Sequence, residues 1–249
     1  MGLYELAPYR QTLAMSIQHI KKFNSSRTRL YRENEAFART IPAGSMVLDA
    51  GAGSAPYKHL VSHANYESAD FEMVDKAYAK STYVCDLRNI PVEEGRYDFV
   101  LFNQVMEHLP DPRSVLNELF RVMKPGGRLI YSGPLFYEEH EQPYDFFRYT
   151  SFGVNLLFKE AGFIIQRLDW LEGYFGTVAY QMNRMGQFLP ARPSSIAGGL
   201  TGLILCPFML LLKGQMLALS LVFHWLETRT KFTARGYPKN YVAVVVKPS

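Results

Sequence analysis

The residues most suited to chemistry in this 249-residue chain are three aspartates that accompany short apolar runs. Asp49 lies within the first run, and Asp70 and Asp86 end the next two. An acidic residue at the end of a second strand can accept hydrogen bonds from both hydroxyls of a ribose. Asp86 stands where the exocyclic amine of a purine would need an acceptor. The pattern therefore indicates a nucleoside-like ligand.

A glycine-rich turn follows the first aspartate. Gly51 and Gly53 carry no Cβ atom, so the backbone there can turn tightly and approach a ligand closely. In a doubly wound sheet, ligands bind outside the carboxyl ends of the strands, where the strand order reverses. A glycine pair alone is equally typical of an ordinary strand-to-helix turn. The aspartates on the following strands are what favour a binding site.

The elements that must position these residues alternate between strand and helix. Amphipathic spacing predicts helices near residues 10–40, 114–123 and 151–161. Apolar runs predict strands at residues 46–50, 66–70, 82–85, 97–102, 128–132, 163–165 and 241–246. Such alternation predicts an α/β fold in which a mostly parallel, doubly wound sheet carries helices on both faces.

The composition excludes several classes of protein. Hydrophobic residues make up 48% and charged residues 20% of the chain, which excludes a disordered tail, a collagen-like chain and a small disulfide scaffold. The two cysteines, Cys85 and Cys206, lie in apolar runs and favour a reducing, cytoplasmic compartment. A net charge of +4, without a basic run interleaved with aromatics, indicates no nucleic-acid partner but suits an anionic membrane surface. The amino terminus does not have the pattern of a signal peptide.

Four runs together resemble the hallmark motifs of class I S-adenosylmethionine-dependent methyltransferases that act on small molecules. They are VLDAGAG at 47–53, VCDL at 84–87, YDFVLFNQVMEHL at 97–109 and MKPGGRL at 123–129. The similarity covers residues 43–162, with the strand at 241–246 as its expected end. It implies seven strands in the order 3-2-1-4-5-7-6, with strand 7 antiparallel, and S-adenosylmethionine as cofactor.

The resemblance also implies cofactor-binding roles for eight residues at the strand ends, which are Asp49, Gly51, Gly53, Asp70, Asp86, Leu87, Asn103 and Gln104. The first three would hold the methionine part, Asp70 the ribose, the next two the adenine, and the last two the floor of the site. The turn departs from the family pattern, with Ala55 in place of the third glycine and Pro56 after it. Glu72 is the alternative to Asp70.

A nicotinamide-binding Rossmann enzyme is the competing use of this fold. It would need a Gly-x-Gly-x-x-Gly turn to seat a pyrophosphate on a helix amino terminus, and here the last position is Pro56. The Glu-His-Leu and Lys-Pro-Gly-Gly runs have no role in that class. The sequence therefore favours the methyltransferase.

Two histidines are candidates for the acceptor side. Methyl transfer depends on holding the nucleophile in line with the sulfonium carbon, and a general base is needed only if the acceptor must lose a proton. His108 follows the fourth strand and His140 the fifth, so both lie at the cofactor end of the sheet. For His108 the stronger alternative is structural, with Glu107 and His108 organising the turn.

The loop after the fifth strand is dense in aromatic and charged residues. Its segment YDFFRY at 144–149 resembles a run in methyltransferases linked to cell-envelope glycan and lipid pathways. In a functional loop, Tyr144, Asp145 and Arg148 would wall the acceptor pocket. In a packing loop, Asp145 and Arg148 would form a local ion pair and Thr150 would cap the next helix. Both alternatives stay open.

About 70 residues separate the last two strands, and residues 196–226 carry Lys213 as their one charge. Residues 196–212 are at the short limit for a membrane span, and the run is weakened by Pro207 and interrupted after Leu212. Both ends must return to the same sheet, so a single crossing is excluded. We expect a hairpin, at a membrane interface marked by Trp225 and the basic residues that follow, or as a lid or dimer contact.

We therefore expect three segments: an amino-terminal helical segment at 1–45, a cofactor-binding domain at 46–170 with 241–249, and the apolar insertion at 171–240. The expected activity is methylation, on oxygen, of a lipophilic or lipid-linked acceptor at the cytoplasmic face of a membrane. Two alternatives are a soluble small-molecule methyltransferase, whose insertion is a lid or homodimer contact, and a cofactor-binding scaffold without catalysis. The sequence suggests no metal ligands.

Overall fold

The computed structural model describes residues 25–74 and 76–249, which form a seven-stranded sheet and six α-helices. The strands are β1 (Met46–Ala50), β2 (Asn65–Asp70), β3 (Tyr83–Val84), β4 (Tyr97–Asn103), β5 (Met123–Pro134), β6 (Ile164–Trp170) and β7 (Asn240–Val246). The helices are α1 (Ser25–Ala38), α2 (Pro112–Val122), α3 (Ser151–Glu160), α4 (Tyr174–Phe188), α5 (Pro193–Ile196) and α6 (Gly199–Arg229). Of the helix expected near residues 10–40, the part before residue 25 lies outside the described residues.

The strand order is β3-β2-β1-β4-β5-β7-β6, as expected. Strands β1 to β5 are parallel to one another, whereas β7 is antiparallel to both β5 and β6. The carboxyl ends of the first five strands therefore lie along one edge, and the chain order reverses between β1 and β4. This arrangement brings the acids and glycines of the sequence motifs to the same edge.

The central strands form because their apolar runs bury side chains on both faces of the sheet. Neighbouring residues alternate between the faces, so Leu48, Val100 and Leu129 join one hydrophobic cluster. Val47 and Leu101, the partners one residue away, belong to a second cluster, on which α1 packs through residues such as Phe37. The core thus consists of two layers with the sheet between them.

Local sequence signals fix the ends of the helices. The side chain of Asp111 accepts a hydrogen bond from the Ser114 amide at 3.2 Å and begins α2. Thr150 caps α3 by accepting from the Gly153 amide at 3.1 Å, as the sequence predicts. Gly162 follows the end of α3 with a φ of 93°, the left-handed conformation that favours glycine.

The Lys-Pro-Gly-Gly run differs from expectation because it lies inside β5 rather than before it. Strand β5 begins at Met123, directly after α2, and pairs with Tyr97 before the register shifts at Phe99. A Cβ atom on Gly127 would lie 2.8 Å from the Lys124 carbonyl oxygen and 3.1 Å from that of Asp98. The glycine therefore allows the close backbone approach that absorbs the irregularity.

The described chain divides into two compact units. One comprises residues 29–172 and 236–249 and contains the sheet, and the other comprises residues 25–28 and 173–235. In the second unit, α4 pairs antiparallel with the carboxyl-terminal half of α6. The Glu227 carboxylate accepts hydrogen bonds from the amides of Gly173 and Gly176 at 2.9 and 3.1 Å. This carboxylate satisfies free amides at the positive end of α4.

Lys213 binds the free carbonyl oxygens at the carboxyl-terminal end of α4. Its ammonium group donates to the carbonyl oxygens of Gln187 and Leu189 at 3.1 and 3.0 Å. The expected interruption of the apolar run at Lys213 is therefore wrong, because this residue caps α4 while α6 continues unbroken. The helix also continues through Pro207.

Most apolar side chains of α6 are exposed. Within residues 25–74 and 76–249, α6 is the one helix long and apolar enough to cross a membrane by length and composition. A single helix of this kind is weak evidence for a span. The exposed residues include Leu200 (73% exposed), Ile204 (66%), Phe208 (65%) and Leu211 (60%). Their spacing of three and four residues places them along one side of the helix.

Two glycines allow a direct test of the α4–α6 pairing. A Cβ atom on Gly186 would lie 2.7 Å from a methyl group of Leu217 in α6, whereas no described atom lies within 4 Å of that position on Gly214. Alanine favours a helix over glycine by about 1 kcal/mol. We expect Gly214→Ala to raise the free energy of unfolding by that amount and Gly186→Ala to lower it, because overpacking displaces Leu217. Denaturant titration followed by helical circular dichroism measures both, and equal stabilisation by the two substitutions would contradict the pairing.

Candidate functional site

A cavity of about 210 Å³ lies at the carboxyl edge of the sheet. Its walls come from the segments that follow β1, β2, β3, β4 and β5. Of the residues predicted for the site, the lining includes Gly51, Asp70, Asp86, Leu87, Gln104, His108 and Tyr144. Residues that are distant in the sequence thus meet at the position where the strand order reverses.

The glycine turn fits closely under the loop after β4. Gly51 has a φ of 74°, and a Cβ atom there would lie 2.4 Å from the side chain of Val105. Its amide donates to the Ala69 carbonyl oxygen at 2.8 Å. Gly53 also lies in the left-handed region, with a φ of 53°. The turn therefore keeps its backbone, rather than a side chain, against the cavity wall.

Asp70 is held in place by the backbone of the turns around it. Its Oδ2 atom accepts from the Gly53 amide at 2.7 Å, and its Oδ1 atom accepts from the Glu72 amide at 3.0 Å. The side chain is nearly buried and lines the cavity. Glu72 has a φ of 53° and is not among the described residues that line the cavity. The geometry thus favours Asp70 over Glu72 for any contact with a ligand.

Asp49 lies in the buried part of β1 and, among the described residues, is not part of the cavity wall. Its carboxylate accepts a hydrogen bond from the Tyr66 hydroxyl at 2.8 Å. Burial raises the pKa of Asp49 to about 7, against the opposing effect of the Tyr66 hydrogen bond. Asp49 is therefore buried next to the glycine turn, and its role in holding the methionine part of a cofactor stays a prediction.

Asp86 and Leu87 follow β3 and both line the cavity. The Asp86 carboxylate pairs with the Arg88 guanidinium at 2.7 Å, and these hydrogen bonds lower the pKa of Asp86. Arg88 itself lines the cavity and was not predicted as a site residue. The alternation of strands and loops does not predict Arg88 as a site residue, because the position of its side chain depends on its hydrogen bonds with Asp86, two residues earlier.

Asn103 and Gln104 separate at the end of β4. Gln104 lines the cavity and has a φ of 56°. The Asn103 amide group instead donates to Asn34 of α1 at 2.8 Å and accepts from the Ser132 hydroxyl at 2.9 Å. The structure therefore does not bring Asn103 to the cavity, and its side chain connects β4 to α1 and β5.

Glu107 and His108 follow β4, and His108 lines the cavity beside Tyr144 of the loop after β5. Glu107 is fully buried, and neither of its carboxyl oxygens has a hydrogen-bond partner among the described residues. Burial raises the pKa of Glu107 to about 8. The Nδ1 atom of His108 lies 2.5 Å from the Tyr144 carbonyl oxygen, and its Nε2 atom lies 3.9 Å from Oε1 of Glu107. Burial lowers the pKa of His108, which favours the neutral ring.

His140 lies beside His108, with the two ring centroids 4.7 Å apart. Its backbone amide donates to Oδ2 of Asp145 at 2.8 Å. Asp145 also forms the expected ion pair with Arg148 at 2.6 Å. Burial acts to raise the pKa of Asp145, but the hydrogen bonds from Arg148 and from the His140 amide, together with the positive charge of Arg148, lower the pKa to about 2. Asp145 and Arg148 thus hold the loop, and of the three predicted acceptor residues Tyr144 is the one that lines the cavity.

A second ion pair connects two loops around the cavity. Lys76, after β2, lies 2.6 Å from Glu141, after β5, and both line the cavity. The Phe71 and Tyr144 rings meet edge to face with centroids 5.9 Å apart. Sequence reasoning missed Lys76, Glu141 and Phe71, because they lie in irregular loops whose pairing depends on the folded chain.

The shared fold is widespread among solved structures. The [4+2]-cyclase SpnF aligns with a TM-score of 0.54 and 16% identity, covering 88% of this chain and 81% of its own. A phosphoethanolamine N-methyltransferase from Haemonchus contortus, in complex with S-adenosyl-L-methionine, aligns with a TM-score of 0.53 and 16% identity. That alignment covers 88% of this chain and 53% of the other. At these identities the similarity establishes the fold alone.

Sequence comparison identifies the family. A ubiquinone biosynthesis O-methyltransferase from Acinetobacter baylyi is 32% identical over 104 aligned positions, and the match covers 36% of this chain and 44% of that protein. The chain therefore spans less than half the length of this relative. The family described as a methyltransferase domain matches residues 23–166, more than half of the chain. Together with the strand order, this match shows that the chain belongs to the methyltransferase-domain family, in the class I, S-adenosylmethionine-dependent fold.

Proposed function

We propose that this protein transfers a methyl group from S-adenosylmethionine to a hydroxyl oxygen of a lipophilic acceptor at a membrane surface. The observation that carries the proposal is the cavity in which Gly51, Asp70, Leu87, Gln104 and His108 meet. The name of the Acinetobacter relative, an O-methyltransferase, supports oxygen as the methylated atom.

The residues around the cavity fit this cofactor. The Asp70 carboxylate keeps a lone pair on each oxygen beyond the backbone amides it binds, so it can accept two ribose hydroxyls. Leu87 offers an apolar surface to the adenine, and the backbone at Gly51, which lines the cavity, can contact the methionine part. Gly53 is not among the described residues that line the cavity, and its amide binds Asp70 instead. When bound, the cofactor supplies an electrophilic methyl group on a sulfonium.

The acceptor side can take up the proton of a hydroxyl. The Nδ1–H group of His108 donates to the Tyr144 carbonyl, which leaves Nε2 as an acceptor beside Glu107. Phe146 and Tyr144 add aromatic surface to the same wall. An acceptor with an apolar body and one hydroxyl fits this combination, and holding it near the methyl group would provide most of the rate.

Exposure of α6 supports the membrane part of the proposal. Leu200, Ile204 and Phe208 leave an apolar surface that needs a partner. Trp225 is 55% exposed, and the Arg229 guanidinium lies 5.7 Å from its ring centre. Tryptophan followed by basic residues is typical of the interface between lipid and water. We infer a peripheral position at the cytoplasmic face of a membrane.

The first prediction concerns the cofactor. Asp70→Asn should weaken binding of S-adenosylmethionine and S-adenosylhomocysteine by about 1–3 kcal/mol, because the ribose hydroxyls lose a charged acceptor. Glu72→Gln, the matched control two residues away, should leave affinity unchanged. Calorimetric titration measures both, with NAD as the negative control. A loss confined to the Glu72 variant would reassign the ribose contact, and no binding by the unaltered protein would remove the proposed activity.

Turnover is tested by release of S-adenosylhomocysteine in the presence of hydroxylated, lipid-soluble acceptors. We expect product that extracts into organic solvent and depends on the acceptor. Cofactor binding without transfer to any acceptor would favour the scaffold alternative.

The second prediction concerns the membrane. The full chain should float with vesicles that contain anionic lipid, and the double substitution Ile204→Glu with Phe208→Glu should abolish flotation, because two charges would enter the apolar surface. Phe152→Glu is the matched control, since Phe152 is 85% exposed on α3 of the sheet unit. Cofactor affinity should stay unchanged in all variants. A chain that never floats, but whose dimer dissociates in the double variant, would instead identify α6 as a contact between copies.

A further inference from the structure

Three titratable side chains converge beside the cavity, which His108 lines, and no hydrogen bond joins them to one another in the described part of the chain. Glu107, His108 and His140 place a carboxyl oxygen and two ring nitrogens within 4.8 Å of one another. Oε1 of Glu107 lies 3.9 Å from Nε2 of His108. These are the atom types that bind divalent transition metals in proteins.

The state of Glu107 requires a partner. The side chain is 0% exposed, and neither carboxyl oxygen is hydrogen-bonded within the described part of the chain. A buried polar group without a hydrogen bond costs several kcal/mol, and native proteins rarely leave one. Arg148, whose charge acts on Glu107, is engaged by Asp145 through two hydrogen bonds of 2.6 and 2.7 Å. Arg148 therefore forms no hydrogen bond with the Glu107 carboxyl group.

Both histidines present the nitrogen that a metal would use. The Nδ1 atom of His108 is taken by the Tyr144 carbonyl oxygen at 2.5 Å. The Nδ1 atom of His140 lies 3.2 Å from the Glu138 carbonyl oxygen and 3.3 Å from Oδ2 of Asp145. Each Nδ1 thus carries the proton, and each Nε2 keeps its lone pair. Metal-bound histidines typically donate their other N–H group to a carboxylate or a backbone carbonyl in this way.

We propose that Glu107, His108 and His140 form a binding site for one divalent transition-metal ion, with Asp145 as the outer partner that orients His140. Ligand atoms about 2.1 Å from a tetrahedral ion lie about 3.4 Å from one another, so the Glu107–His108 pair would close by about 0.5 Å. Two histidines and one carboxylate leave a fourth position open. Of the three proposed ligands, His108 lines the cavity and connects the site to it.

The site stands on its own geometry and does not depend on methyl transfer. On the proposed function, a bound ion would hold the acceptor oxygen and lower the pKa of its hydroxyl. With Nε2 of His108 bound to the ion, the hydroxyl proton would pass to water instead of to His108.

The experiment measures Zn²⁺ and Co²⁺ binding to the metal-stripped full-length protein. Competition with a chromophoric chelator should give a stoichiometry of one ion per chain. The Co²⁺-bound protein should show visible absorption bands typical of nitrogen and oxygen ligands. Asp145→Asn should weaken binding by about 10–100-fold, the usual effect of losing an outer partner. Glu107→Gln and His140→Gln should weaken it further. His59→Gln is the matched control, because His59 is exposed and its ring stacks on Tyr31.

Sub-stoichiometric binding, or binding that the Glu107 and His140 variants share with the unaltered protein, would overturn the site. Circular dichroism shows whether each variant is folded, and His140→Gln changes a partly exposed residue, so the test does not depend on the buried Glu107 alone. Titration of S-adenosylhomocysteine into the same variants separates the two proposals, since that affinity should not change when metal binding is lost.

Discussion

The parallel alignment of five strands, of which β1, β4 and β5 are buried on both faces, is the constraint on which the rest of the molecule depends. Apolar side chains on both faces of β1, β4 and β5 leave polar groups to the strand ends. At the carboxyl edge, the reversal of strand order between β1 and β4 separates the crossovers and opens a cavity between them. The glycine turn, Asp70 and the loop after β4 can meet there because the sheet, rather than their own loops, fixes their relative positions.

Much of this frame could be predicted from the sequence because the signals are local. The strand order follows from motif resemblance, and the two ends of α3 follow from Thr150 at its start and Gly162 after its last turn. The sequence could not place Asn103, because its turn away from the cavity depends on Asn34, 69 residues earlier. The grouping of Glu107, His108 and His140 could not be predicted for a similar reason. His140 is 32 positions beyond His108, and no spacing in the chain indicates that their rings meet.

The helical unit shows how one residue can be misread when its partner is distant. A lysine in an apolar run normally indicates the end of a helix or a return to water. Lys213 instead lies beside the carbonyl end of α4, where a positive charge is favourable. Glu227 acts in the complementary sense at the amide end of the same helix. Lys213 and Glu227 of α6 therefore each stabilise one end of the α4 dipole. Most of the apolar side chains of α6 remain exposed.

Charge is distributed unequally between the two carboxylates nearest to the paired histidines. Asp145 binds Arg148 through two hydrogen bonds and keeps a pKa of about 2, so it remains ionised. Glu107 receives no such bond among the described residues, and burial raises its pKa to about 8. Arg148 pairs with Asp145, so the deeper Glu107 carboxyl is left to be neutralised by a proton or, on the metal-site proposal, by a cation from outside the chain. The ion pair with Arg148 also holds the Asp145 carboxylate beside the His140 ring. The same ion pair therefore leaves Glu107 unpaired and positions the carboxylate that orients His140.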